Sequence, residues 1–396
     1  MTEKRKYRLM IAAALMMYVF YIALKNFYSA AIIEATSYFG VSKKDASLAT
    51  TFGFVSYAAA QLYFAKFIGR IKLLRYLCVS VPVACVLYSV SPFCGEIWQV
   101  WILFAVCGAL LAGVFPACMV MISEYLPDDM VIGANKAMGA GFTVSFVLDY
   151  LFASVFIQFA DWRIGFWVFS VLLIGSTIFF CRMMSVCPKR TDLPERKKDE
   201  SGGQKGIRAK TVLFIVLTGL VGLLTNMAYY SFSNWIPNLL SDEFSLLPSL
   251  SVFITLIIPV AGMAGMILFL ELCKKSHYWK IMLAASVSIT AVLAVITPLY
   301  RVSAVLTFVL MMACVGVVRG ISHICSWQVP VESREMMRPA SAATLINVFS
   351  CIGAGLGPPV FGGLIDASGY PAFFIASALL FAVLSAVSLF GLYRKK

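Results

Sequence analysis

The chain has 396 residues, 61% hydrophobic and 13% charged, with a formal net charge of +13; soluble domains carry roughly 45–50% and 25%. So much apolar surface excludes a water-soluble globule and makes lipid the solvent, because a bilayer takes about 20 mostly apolar residues per helical span. The basic surplus lies between the apolar runs rather than in a stripe with interleaved aromatics, which excludes nucleic acid as a partner; two histidines, and eleven cysteines without a C-x-x-C pair, predict neither a metal nor a disulfide framework.

Twelve apolar stretches follow one another, and their composition predicts an all-α integral membrane protein. The first, 9–38, is too long for a signal-peptide core and is interrupted by Lys25, so it reads as a retained helix. Charge inside a bilayer costs at least about 2.5–3.5 kcal/mol and defaults to function, making Lys25 a candidate anion site, with Tyr21 and Asn26 beside it. The alternative for Lys25 is a structural pairing with Asp149 or another carboxylate. Stretches 47–68, 75–95, 97–123 and 133–159 come next. Arg70 follows the second of the twelve and Glu124 ends the fourth; Glu124 is read as interfacial, or as pairing inner-loop bases in a gate. Asp149, in the fifth, is the only carboxylate well inside a span, where it could couple proton flow to solute movement or else form a fixed salt bridge to Lys25 or Arg319.

After the sixth stretch, 164–187, the polar segment 188–210 reads as a flexible linker between two six-helix bundles, 1–187 and 211–396. The seventh, 211–238, offers Asn226, Tyr229, Tyr230 and Asn234 as ligand contacts. After 249–272 and 280–299, the tenth stretch, 303–329, holds Arg319 with His323 four residues on, the same helical face, and then Trp327 and Gln328. Arg319 is expected to face substrate, or otherwise to snorkel or bind carbonyls; His323 is a second proton-relay candidate, or structural. Stretches 339–364 and 370–393 complete the set. Gly316 with Gly320 and Gly353 with Gly357 form G-x-x-x-G pairs suited to close helix approach. Of the 32 Lys and Arg, only Lys43, Lys44, Arg163 and Arg301 fall in odd-numbered connections, so the positive-inside rule puts both termini in the cytoplasm.

Tyr21-Ile22-Ala23-Leu24-Lys25-Asn26-Phe27, Gly40-Val41-Ser42-Lys43-x-Asp45, Asp161-Trp162-Arg163, Asn234-Trp235-Ile236-Pro237 and Pro339-Ala340-Ser341-Ala342-Ala343 carry a resemblance to the major facilitator superfamily. Within it the chain is similar to the organophosphate:phosphate antiporter branch. The resemblance implies two six-helix halves around a cavity, lined by spans one, four, seven and ten, and alternating access. It also implies phosphate-binding arginines where this chain has Leu24 and Tyr229, and a histidine where it has Met138. The inner-loop signature is degenerate, reading Ala65-Lys66-Phe67-Ile68-Gly69-Arg70-Ile71-Lys72 without its acidic member, so gating through Arg70 and Glu124 is rearranged.

The expectation is a secondary transporter in a bacterial cytoplasmic membrane, monomeric and without cofactor, moving a small organic anion by proton symport or exchange. A carboxylate suits it better than a phosphate ester, because the forked arginine donors for phosphate are missing. A proton-coupled exporter of drugs or organic cations and a sugar-phosphate/phosphate antiporter are the alternatives. No nucleophile, base and metal constellation in the spans suggests an enzyme.

Overall fold

A segment surrounded by lipid must satisfy its own backbone, and for a single segment the helix does this. The computed structural model describes residues 3–67, 73–187, 209–329 and 339–393, and the regular structure there is helical throughout. In chain order the helices are α1 (Glu3–Ala30), α2 (Ile32–Phe39), α3 (Lys43–Phe67), α4 (Leu73–Val90), α5 (Ile97–Leu111), α6 (Val114–Glu124), α7 (Asp128–Phe159) and α8 (Ile164–Val186). The second group comprises α9 (Ala209–Phe244), α10 (Pro248–Ile254), α11 (Ile257–Lys275), α12 (Tyr278–Leu299), α13 (Ala304–His323) and α14 (Pro339–Tyr393).

Ten segments among the described residues are long and apolar enough to cross a membrane. The last, Leu345–Tyr393, is two spans: Gly369 breaks α14 at φ 74° and ψ −172°, a conformation open to glycine. Helix α3 completes the twelve. It is less apolar because part of its surface meets α14 rather than lipid, with Thr51 donating to the Gly355 carbonyl at 2.6 Å and Gln61 accepting from Asn347 at 2.7 Å. Two spans outrun their expected ends. Helix α9 continues through Pro237 to Phe244, where buried Leu239 and Leu240 and the anchored acids Asp242 and Glu243 offset the backbone bond that the proline cannot make. The eleventh span continues past residue 364 to Gly369, with Asp366 accepting from the Lys44 amide at 3.0 Å. The expected linker, 188–210, lies almost wholly outside the described residues.

Within the first group α1 packs on α7 and α8, and α3 on α5; within the second α14 packs on α9 and α12, and α11 on α13. The groups meet along α3 with α14, and along α7 with α10 and α11. A shift of six spans carries the second span onto the eighth and the fifth onto the eleventh, so these two seams are equivalent, as an internal repeat requires. The G-x-x-x-G expectation holds: Gly316 backs onto the Ala261 carbonyl, while Gly353 and Gly357 leave room for the Leu223 and Met227 carbonyls.

Four of the membrane-crossing paths are interrupted. Ala31 separates α1 from α2, Ala112 and Gly113 separate α5 from α6, Thr255 and Leu256 separate α10 from α11, and a π turn at Ile324–Gln328 follows α13. Such breaks free backbone groups and recur where helices line sites or bend.

Candidate functional site at the interface of the two halves

Lys25 lies on α1 at 8% exposure, with its Nζ 3.7 Å from the Tyr57 ring centroid and 4.0 Å from that of Phe54, both on α3. Arg319 comes from the other half. Its guanidinium crosses from α13 to lie 4.1 Å from the Phe142 ring on α7 and 5.0 Å from the Tyr229 ring on α9. Gly262 on α11 makes space for it, since a Cβ there would stand 3.2 Å from the Arg319 Cγ. Among the described residues neither cation joins an ion pair, and both rest on aromatic faces, which attract cations electrostatically. The expected pairings of Lys25 or Arg319 with Asp149 are therefore absent from this arrangement, and Arg319 does not snorkel to an end of its helix.

Aromatic rings join the two cations. Phe54 meets Tyr230 at 5.0 Å, and Tyr230 meets Tyr229 at 5.6 Å. Phe146 from α7 closes on both tyrosines, at 5.9 Å and 6.2 Å. On the far side of Lys25, Tyr57 stacks on Tyr21 at 6.3 Å, and Tyr21 meets Tyr18 at 6.3 Å with the rings tilted.

The amides serve the helices first. Asn226 donates to the Gly222 carbonyl at 2.9 Å and to Ser322 at 3.1 Å, tying α9 to α13; Asn26 donates to Ile22 at 2.9 Å and Asn234 to Tyr230 at 2.7 Å. Asp149 is 1% exposed, and both of its carboxyl oxygens lack a hydrogen-bond partner among the described residues, as do the Asn26 and Asn234 carbonyl oxygens. Buried polar atoms are nearly always satisfied, so these stand out. His323 is half-buried at the end of α13, one turn beyond Arg319. Glu124 is half-buried at the end of α6. Arg70 and the side chains of Trp327 and Gln328 lie outside the described residues.

A cluster overlooked in the sequence reading closes the end of the bundle opposite the termini. Lys43 pairs with Asp242 at 3.1 Å, and Tyr370 donates to the same Asp242 carboxylate at 2.8 Å. The Asp366–Lys44 bond stands next to it in sequence, and Ser249 donates to Gln158 at 2.5 Å across the other seam. Just below, Tyr150 donates to the Ser233 carbonyl at 3.0 Å. Arg301 binds Glu243 at 2.8 Å, and that carboxylate raises the guanidinium pKa further above its usual value. The available signal is the recurrence of acids at the ends of spans seven and eleven opposite two adjacent lysines, which the sequence otherwise offers as evidence of orientation and, for Lys43, of family resemblance.

Partly exposed pairs of this kind are each worth about 0.2–1 kcal/mol, so together they bias a conformational equilibrium without locking it. Lys43→Asp is expected to raise thiol labelling of a cysteine placed in this distal seam several-fold, and adding Asp242→Lys to bring it back. Unchanged labelling in the single variant would remove the pair from the closure.

The sequence profile of the Major Facilitator Superfamily matches residues 9–358, and the chain belongs to that superfamily. It is a multi-pass membrane transporter, not an enzyme. Its fold is similar to a bacterial homologue of the human lysosomal transporter Spinster, solved in inward-facing occupied and unoccupied conformations, with a TM-score of 0.79 and 15% identity in both, covering 98% of this chain and 97% of that one. It is also similar to the nucleoside transporter NupG, with a TM-score of 0.68 and 11% identity over 97% of this chain and 98% of that one. At such identities the likeness is one of fold. No curated protein matches the chain in sequence.

Proposed function

We propose that this protein is a secondary transporter of a small organic anion, a carboxylate rather than a phosphate ester, working by alternating access as a proton symporter or an exchanger. The observation that carries the reading is the pair Lys25 and Arg319, one from each half, both turned to the interface and neither neutralised by an acid among the described residues. A buried cation without a counter-ion is costly, and an incoming anion supplies the missing charge. The halves, 1–187 and 211–396, rock about this pair, with the distal cluster closing one side. The resemblance to the organophosphate:phosphate branch supports an anion, while Leu24 and Tyr229 at its arginine positions argue against phosphate. The distribution of Lys and Arg supports both termini in the cytoplasm, and the compact loops a bacterial cytoplasmic membrane. A monomer suffices for this mechanism.

Asp149 is the proposed proton carrier: a carboxyl with both oxygens unpartnered is tolerated when neutral and needs rearrangement when charged. Helices α1 and α7 pack together, and Asn26 on α1, whose carbonyl oxygen is also unsatisfied among the described residues, is proposed to receive its hydrogen bond; His323 is the proposed relay toward the terminal side. Asp149→Asn is expected to abolish the dependence of uptake on a proton gradient while leaving exchange of labelled for unlabelled substrate. Retained gradient dependence would remove Asp149 from coupling.

The reading as a whole is tested by the thermal stability of the detergent-purified protein against carboxylates, sugar phosphates, inorganic phosphate and organic cations. A ligand at about 100 times its dissociation constant adds about 2.7 kcal/mol. A shift with carboxylates is the expected result; a shift with phosphate esters makes it a phosphate antiporter, and one with cations alone makes it a cation exporter.

A further inference from the structure

Resting on the organic-anion reading, we infer that the substrate is an aryl carboxylate: one or two fused flat rings bearing a single carboxylate, held with the charge on one cation and the ring against the aromatic wall.

The wall is the first reason. Phe54, Tyr230 and Tyr229 form a chain of touching rings, with Lys25 on the first and Arg319 on the last. Rings therefore stand between the two cations, and a compact anion meets one of them at a time rather than being chelated by both. Aromatic faces carry negative quadrupole charge, so an anionic group cannot lie on them, whereas the positive edge or offset face of another ring can. The part of the ligand that bears no charge must accordingly be flat and apolar.

The amides are the second reason. A sugar acid or sugar phosphate brings several hydroxyls, and each needs a partner once buried. The side-chain amides near the wall already serve the protein: Asn226 donates to Gly222 and Ser322, and Asn234 and Asn26 each spend an N–H on Tyr230 and Ile22 respectively. A ligand with several hydroxyls would compete for these bonds, with the Asn26 and Asn234 carbonyl oxygens as the amide acceptors left open among the described residues, and an aryl group makes no such demand.

The experiment compares benzoate, indole-3-carboxylate and 2-naphthoate with acetate, succinate, gluconate and glucose 6-phosphate, using benzamide as the uncharged control. It reads thermal shift of the purified full chain and competition for uptake in proteoliposomes. Aryl carboxylates are expected to bind at least ten-fold tighter than acetate or gluconate, with benzamide inert. Tyr230→Leu and Phe54→Leu are expected to weaken the aryl acids about five-fold more than they weaken acetate. If either variant fails to fold, the panel on the unmodified protein decides alone. Succinate or gluconate binding as tightly as benzoate would overturn the aryl assignment and leave the anion reading intact; a response to organic cations only would overturn both; and no response to any aryl acid at about 10 mM would overturn the assignment outright.

Discussion

Lys25→Met is expected to lower the affinity for the transported anion by about 10- to 150-fold, the loss of one charge-assisted hydrogen bond worth roughly 1.5–3 kcal/mol, and at the same time to raise the melting temperature. The two effects share one cause. In this arrangement the ammonium is buried on Phe54 and Tyr57 with no acid paired to it among the described residues, so removing its charge relieves a cost that the folded protein otherwise bears. A cation kept for structure behaves differently: its removal lowers stability. Ligand titration and thermal melting of the same preparation therefore separate the two roles. Weaker binding with a higher melting temperature supports the site, whereas unchanged binding with a lower melting temperature makes Lys25 structural. Arg319→Gln is expected to weaken binding as well, with less gain in stability because Arg319 is only half-buried.

Gly265→Leu is expected to be among the most damaging single changes, costing about 3 kcal/mol or more in stability, or preventing folding altogether. Helices α11 and α13 cross with backbone against backbone, and a Cβ on Gly265 would overlap the Gly316 carbonyl. Neither backbone can yield as a flexible side chain can. The same contact sets the distance between α13, which carries Arg319, and α11, where Gly262 leaves space for that side chain. Gly265→Ala brings the same Cβ against that carbonyl, and where the protein folds it is expected to displace Arg319 and weaken anion binding. Gly175→Leu serves as the control, because Gly175 on α8 is exposed and a Cβ there meets no neighbour within 4 Å. If Gly265→Leu melts as the unmodified chain does, the close crossing of α11 and α13 is wrong.

The two candidate cations were legible from the sequence for an elementary reason: a charge within an apolar run carries its own cost, and that cost is visible without coordinates. The glycine contacts were legible in part. Spacing singled out Gly316 and Gly353 with Gly357, but Gly265, the partner of Gly316, shares its span with Gly262 at a spacing of three, outside the G-x-x-x-G pattern, so only the packing reveals it. Asp149 was visible as a carboxyl in a span, with proton coupling and a salt bridge as open alternatives; no such bridge is present among the described residues, because pairing depends on which face of α7 meets which neighbour. Asn226 reads as a ligand contact in the sequence, and its tie between α9 and α13 became visible only in the structure, since the partner of an amide in a helix depends on which helix lies next to it.

What the sequence by itself determined is what hydropathy and charge record locally, twelve helical spans and the places where a charge or a polar side chain enters the bilayer, together with a superfamily resemblance carried by short motifs. Only the tertiary structure decided which of these residues meet. The aromatic chain from Lys25 to Arg319 draws on α1, α3, α9 and α13, and Lys43 meets Asp242 across 199 positions of sequence. Lipid rewards every apolar face equally, so the pattern of a span does not state its neighbour. Steric fit between helices does, through small residues, rings and a few buried hydrogen bonds.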